Sequence, residues 1–192
     1  MTSVTIPHSA LALAILVLLF AATPCDGCDS QEKEPDPWLF TSEDADFSVV
    51  LPGHWQSEPR GSVNPHADIA ASRDDTYFFM VIPQELPTFP RPDVFEFKRT
   101  ALQTLDGSVE DFVIARQGPI ELDGQSGVTV FANGTLNDRN IRYITSYVIR
   151  GDVGFQIIAF TEMDNESTLI SEMDIILSTW RFSPDQADQE IH

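Results

Sequence analysis

His54 and His66 are the only histidines in the body of the chain, and Asp68, Asp74 and Asp75 follow His66 closely. Imidazole and carboxylate together could hold one metal ion or form an acid/base pair. Metal sites usually show their ligands at helical spacing or in paired turns, and nothing in the sequence enforces such a site here. Asn64-Pro-His-Ala-Asp68 therefore reads as a solvated loop, and His54, between Gly53 and Trp55, as a hydrogen-bonded residue at a strand end. Cys25-Asp-Gly-Cys28 has the C-x-x-C spacing of redox sites and of half a zinc site. A redox motif follows a strand and opens a helix, and zinc needs a second ligand pair; this segment offers neither. Gly124-Gln-Ser126-Gly127 places a serine between glycines, but a strand follows where a nucleophile elbow needs a helix, so it reads as a turn. Asp44-Ala-Asp46 lacks the later ligands of an EF-hand loop. Phosphate-cradling and dinucleotide glycine patterns are missing as well. Asn133-Gly-Thr135 and Asn165-Glu-Ser167 fit the N-glycosylation pattern, which counts only on a eukaryotic secretory route. No catalytic residue, metal or cofactor is assigned.

Charge and the N-terminus say more about where the chain works. Eleven Lys and Arg against thirty Asp and Glu leave a net charge of −19, which disfavours nucleic acid and anionic membrane surfaces without a clustered basic face. At 42% hydrophobic residues the chain is globular, and with both cysteines near the N-terminus its core has no disulfide framework. Residues 1–24 carry no Asp, Glu, Lys or Arg, and Ala10 to Ala22 is an unbroken apolar run. A run of that length suits a secretory signal, whereas a spanning helix needs about 20 apolar residues. Bacterial lipoprotein signals are similar, with a lipidated cysteine just past the apolar run. The candidates are Cys25, which follows a proline, and Cys28, which follows Gly27 but has Asp26 and Cys25 before it. If neither is lipidated, a local disulfide is the simpler fate in an oxidising compartment. Residues 25–37 form a polar spacer and residues 185–192 a polar tail. The protein is thus expected to be exported and to sit in the cell envelope, membrane-anchored or periplasmic, touching the membrane through its N-terminus only.

The elements that would position any site lie in residues 38–184. Strand patterns occur at Phe47 to Leu51, Tyr77 to Ile82, Phe112 to Ala115, Val128 to Ala132, Arg142 to Ile149 and Phe155 to Phe160. Asp123-Gly124, Asn133-Gly134 and Gly151-Asp152 read as hairpin turns between them, so the sheet is antiparallel. Apolar residues at successive positions of the strands at 77–82 and 155–160 require cover on both faces, with helices as the expected cover. The first helix opens at Asp93 with Glu96 three residues on, presents Val94, Phe97, Ala101 and Leu105, and ends at Asp106-Gly107. The second begins near Asn165 to Ser167 and presents Leu169, Met173 and Ile176, followed by a last strand over Thr179 to Phe182. The predicted fold is α+β: a single mostly antiparallel sheet flanked by helices.

Phe47-x-Val-x-Leu-Pro-Gly-x-Trp55, the helix after the early strands, Gly124-x-x-Gly127 at the head of a meander, and Ser178-Thr-Trp-Arg-Phe182 after the last helix resemble the Mog1/PsbP-like α/β/α sandwich domains. That resemblance covers Trp38 to Pro184 and implies the sandwich fold. Because its members share the shape and no active site, it carries over no functional residue and implies a domain that binds or assembles rather than turns over substrate. One surface stands out: Pro83-Gln-Glu-Leu-Pro-Thr-Phe-Pro-Arg-Pro92 holds Leu86 and Phe89 between stiff prolines, a candidate partner contact. The expected role is a non-catalytic envelope domain binding a protein partner or small ligand. The alternative is an enzyme with an acid/base or metal site around His54 and His66.

Overall fold

The computed structural model describes residues 35–42 and 44–183. The expected signal segment, Cys25, Cys28, residues 25–34 of the spacer, Pro184 and the tail lie outside the described residues.

Among the described residues ten strands and two α-helices follow in chain order, with a single 3-10 turn at Met163–Asn165 leading into the second helix: β1 Trp38–Thr41, β2 Phe47–Leu51, β3 Gln56–Ser57, β4 Ile69–Arg73, β5 Tyr77–Glu85, α1 Val94–Asp106, β6 Glu110–Leu122, β7 Gln125–Leu136, β8 Arg139–Arg150, β9 Val153–Glu162, α2 Glu166–Ser178 and β10 Arg181–Phe182. The α+β, mostly antiparallel class is as expected. The strands, however, form two sheets rather than one: seven in the order β3-β4-β5-β9-β8-β7-β6, and three in the order β1-β2-β10.

Alternation along β5 and β9 explains the layering. Phe79 and Val81 of β5 share one face with Phe155, Ile157 and Ala159 of β9, and there they meet β2, Trp180 and the α2 stripe Leu169, Met173 and Ile176. Met80 and Ile158 point the other way, into a cluster with Val109, Ala132 and Tyr143. Beside that cluster α1 packs Phe97, Ala101 and Leu102 onto Val128, Val130 and Tyr147. Helices were expected as the only cover; on the α2 side the small sheet shares the task. Its anchor is Phe47, stacked on Trp180 with ring centroids 4.5 Å apart, while Phe155 meets both rings edge-on. β10 pairs with β2, Phe182 opposite Phe47, and Thr179 precedes the paired residues rather than joining them.

Helix α1 starts where Asp93 requires it, its carboxylate accepting from the N–H groups of Phe95 and Glu96 at 2.9 and 2.8 Å. The turn at Asp123-Gly124 is present, with φ of 47° and 79°. Asn133-Gly134 is not a turn; it lies within β7, and the β7–β8 turn falls at Asn137-Asp138, with φ of 51° and 62°. Gly134 answers to packing instead, since a Cβ there would lie 2.2 Å from the Val109 side chain. β6 is far longer than the expected Phe112 to Ala115. Its second half, Arg116-Gln-Gly-Pro-Ile-Glu121, lacks an apolar pattern and holds a proline that only an edge strand tolerates.

Gly127 of β7 faces the Tyr147 carbonyl oxygen, 2.3 Å from where a Cβ would stand, whereas Gly118 of β6 has open space around it. Gly127→Ala is therefore expected to lower the unfolding free energy by about 1–3 kcal/mol. Gly118→Ala is the control, with a change below about 1 kcal/mol. Urea denaturation of the two variants beside the parent checks both.

Candidate functional site

Glu172 lies three residues after Leu169 and four before Ile176, so the helical repeat turns this carboxylate inward with the apolar stripe of α2. Three donors meet it there. Trp55 Nε1–H and His54 Nε2–H donate to Oε2 at 2.8 and 2.9 Å, and Arg73 Nη1–H donates to Oε1 at 2.7 Å. The Arg73 guanidinium also lies over the Tyr77 ring, 5.2 Å from its centroid. Burial by itself raises the Glu172 pKa, but the Trp55 and His54 hydrogen bonds and the positive charge of Arg73 outweigh it and hold the carboxyl below its ordinary value. This cluster ties α2 to the turn after β2 and to β4, with the carboxylate engaged on both oxygens. His54 serves that clamp, as a hydrogen-bonded residue at a strand end.

His66 is exposed, and its backbone N–H donates to Asn64 Oδ1 at 2.8 Å. It borders a cleft of about 380 Å³ with Ile82, Gln84, Thr100 and Thr104, on the α1 side of the sheet. His54 meets α2 on the other side, so the two histidines do not share a site. Asp68 faces Arg60 at 3.6 Å and Asp74 faces Arg73 at 3.4 Å. Asp75 sits in the β4–β5 turn with φ of 51°. Among the described residues, no group of three or more His, Cys, Asp or Glu side chains gathers as metal ligands. Ser126 lies in β7 opposite Glu121. Leu86 is buried among Phe97, Leu102 and Tyr147, so it belongs to the core and not to a contact surface. Phe89 from the same loop is 91% exposed.

Concavity and exposed apolar surface coincide elsewhere. Helix α1 packs across β7, β8 and β9 and leaves β6 beyond its flank. Between them runs an open groove of about 860 Å³, with Leu102 and Phe112 in its floor and Phe95, Val113 and Ile114 in its walls. Those three wall residues are 60%, 59% and 47% exposed. Lys98 Nζ bridges the groove to Gln117 Oε1 at 2.8 Å. On the opposite face of β6 a smaller cleft of about 330 Å³ opens toward α2, lined by Ile120, Phe131, Ile170 and Leu177, with the Arg116 guanidinium 3.6 Å from the Phe131 ring centroid. Sequence reasoning missed the groove because it sought side chains with chemistry. The available signal was Phe112-Val-Ile114, three successive apolar residues of which a strand buries one face at a time.

A seven-stranded antiparallel sheet with a helix on each face and a three-stranded strap across one of them is the Mog1/PsbP-like fold. Among solved structures the chain is similar to a cyanobacterial PsbP (CyanoP) from Synechocystis, at 14% identity and TM-score 0.61, over 83% of this chain and 99% of that one. It is also similar to LpqN of Mycobacterium tuberculosis, described as involved in cell envelope biogenesis, at 14% identity and TM-score 0.60, over 77% of this chain and 91% of that one. Ran-binding protein Mog1p of Saccharomyces cerevisiae matches at 11% identity and TM-score 0.50, over 76% of this chain and 95% of that one. Neither a family model nor a curated protein matches the chain. At these identities the likeness is one of fold.

Because folding lowers the Glu172 pKa, its contribution to stability is complete above the ordinary carboxyl range and disappears as acidification passes through the lowered folded value. Glu172→Gln is expected to cost about 1.5–3 kcal/mol at neutral pH. The difference from the parent should shrink as the pH falls below the ordinary carboxyl range. Chemical denaturation repeated down a pH series measures this; a difference independent of pH would refute it.

Proposed function

We propose that this chain is an exported, non-catalytic domain, held at the cell envelope by a lipid on Cys25 or Cys28, that binds a protein partner. The observation that carries the binding part is the groove between α1 and β6, where Phe95, Val113 and Ile114 leave apolar surface exposed on a chain of net charge −19. Contiguous exposed apolar surface in a concavity marks an interaction site. A small ligand usually loses most of its surface to an enclosing pocket; a groove open along its length suits a polypeptide better. The absence of catalysis is supported by the engagement of His54 and Glu172 with each other and with Trp55 and Arg73. Support for the envelope comes from the apolar N-terminal run, the cysteines after it, and the likeness in fold to LpqN. Among the described residues no helix is long and apolar enough to cross a membrane.

Replacing Cys25 and Cys28 together by Ser is expected to move the protein from the membrane fraction to the soluble fraction of native cells. Unchanged partitioning would exclude the lipid and point to an uncleaved anchor. A photo-crosslinking residue at Val113 should form a discrete adduct in intact envelopes, and the same residue at Asp75, in the distant β4–β5 turn, should not.

A further inference from the structure

The cleft beside His66 differs from the other two concavities in charge. Asp93, Glu96, Lys98, Arg99 and Asp106 line the groove between α1 and β6, and Arg116 and Asp174 line the cleft toward α2. In a chain with 21% charged residues, the cleft of about 380 Å³ between α1, β5 and β9 has no Asp, Glu, Lys or Arg among its described lining residues. Its lining is nonetheless mostly polar. Asn64 and His66 come from the loop before β4, Gln84 from β5, Gln156 from β9, and Thr100 and Thr104 from α1. Ile82, Pro83 and Ala101 complete it with apolar surface.

Sheet register explains why these groups converge. Ile82 pairs with Gln156 and Gln84 with Gly154, so Gln84 and Gln156 share one face as a diagonal pair about 7–8 Å apart. Residue 154 is glycine because α1 presses on it: a Cβ there would lie 2.7 Å from the Phe97 ring. Gln84 therefore has no side chain opposite it on β9. Thr100 and Thr104 donate to the Glu96 and Thr100 carbonyls of their own helix at 3.1 and 3.4 Å, which leaves both hydroxyl oxygens as acceptors. His66 engages its neighbours through its backbone N–H, and its imidazole borders the cleft. Behind Gln156 stands Tyr147, its partner on β8. The Tyr147 hydroxyl is buried beside Thr145 and Gln156 without a hydrogen bond of good geometry to either. Whatever fixes the Gln156 amide can also satisfy that hydroxyl, which is costly to leave unpaired.

This lining excludes most classes of small ligand. A carboxylate or phosphate would find no cation, a cation would find no carboxylate, and a hydrocarbon chain would cover polar groups without pairing them. A nucleobase would have no aromatic ring to stack on. What fits is an uncharged compound rich in hydroxyls, each of which donates and accepts, with C–H surface for Ile82, Pro83 and Ala101. From these observations we infer that the cleft binds a neutral saccharide unit, held by the amides of Asn64, Gln84 and Gln156, the His66 imidazole and the hydroxyls of Thr100 and Thr104. Its volume suits a single sugar ring, at the small end of the roughly 300–1,000 Å³ of ligand sites. The inference goes beyond the protein-binding reading and does not rest on it. β5 and β9 lie across α1 from β6 in the strand order, so the two sites flank α1 on opposite sides.

The test is an NMR titration of the full chain with methyl α-D-glucoside, N-acetylglucosamine and myo-inositol. At least one should give saturable shifts in the side-chain amides of Asn64, Gln84 and Gln156 and in the backbone of Thr100 and Thr104. The expected Kd is on the order of 1 mM for so small a ligand, and added salt should leave it unchanged. Glucosamine, whose positive charge suits the chain as a whole but not this lining, should bind the cleft at least about tenfold more weakly than N-acetylglucosamine. Gln84→Leu combined with Gln156→Leu should weaken saccharide binding by about tenfold or more in a protein whose melting is unchanged. Where the pair impairs folding, Gln84→Leu alone, at an exposed position, should weaken it by about threefold or more. Val113→Ser, in the groove beside β6, should leave it as it is. No saturable shift with any of the three compounds, shifts confined to the β6 side of α1, undiminished affinity in the glutamine variants, or equal affinity for glucosamine would overturn the inference. Crosslinking at Val113 reports on the protein-binding reading alone, so the two fail separately.

Discussion

A seven-stranded sheet apolar on both faces must be roofed twice, and the described residues supply two α-helices with which to do it. Strands spaced about 4.8 Å apart make such a sheet about 29 Å across, while a helix with its side chains is about 10 Å wide. One helix per face therefore covers the middle strands and leaves a margin. Helix α1 lies over β7, β8 and β9, and α2 lies mainly against β9 and β2. The uncovered margin on the β6 side is where the grooves open. The most exposed apolar surface of the sheet is thus a consequence of width and not a local irregularity.

On the α2 side the shortfall is met by the small sheet, which joins segments far apart in sequence. β2 and β10 meet through Phe47 opposite Phe182, the Phe47–Trp180 stack, and Thr179 Oγ1, which accepts from the Val50 N–H at 2.9 Å. The Glu172 clamp fixes the other end of this roof, holding α2 to the turn that carries His54 and Trp55 and to Arg73 of β4. Removing one partner from such a buried cluster leaves a charge without compensation, so the cluster is more sensitive to substitution than surface ion pairs such as Arg139–Glu162. His54 and Glu172 are in this way engaged in holding α2 to the turn after β2 and to β4.

The likeness to CyanoP, LpqN and Mog1p has the same character. Those structures share with this chain a layering that solves one covering problem, at identities between 11% and 14%. A fold held in common at that level constrains where grooves can form more than what fills them.

Sequence alone determined the elements whose information is local. Asp93 with its neighbouring amides, the Leu169–Met173–Ile176 stripe, the two-faced apolar strands at 77–82 and 155–160, and the Asp123-Gly124 turn were all legible, because capping, periodicity and positive φ act over a few residues. Where one signal served two purposes, local reading failed. Asn133-Gly134 has the composition of a hairpin turn, yet its glycine is there because Val109 approaches β7, a contact set by chain far away. The tail of β6 has no strand pattern because an edge strand buries too little to need one. Glu172 carries no local signal of its role, because its partners Trp55, His54 and Arg73 come from other elements. Leu86 and Phe89 looked alike in one loop, and only packing sent the first into the core and left the second in solvent. The division between one sheet and two, the grooves beside β6, and the separation of His54 from His66 belong to tertiary structure. Each depends on which face of the sheet a distant segment covers, and no short stretch of sequence carries that information.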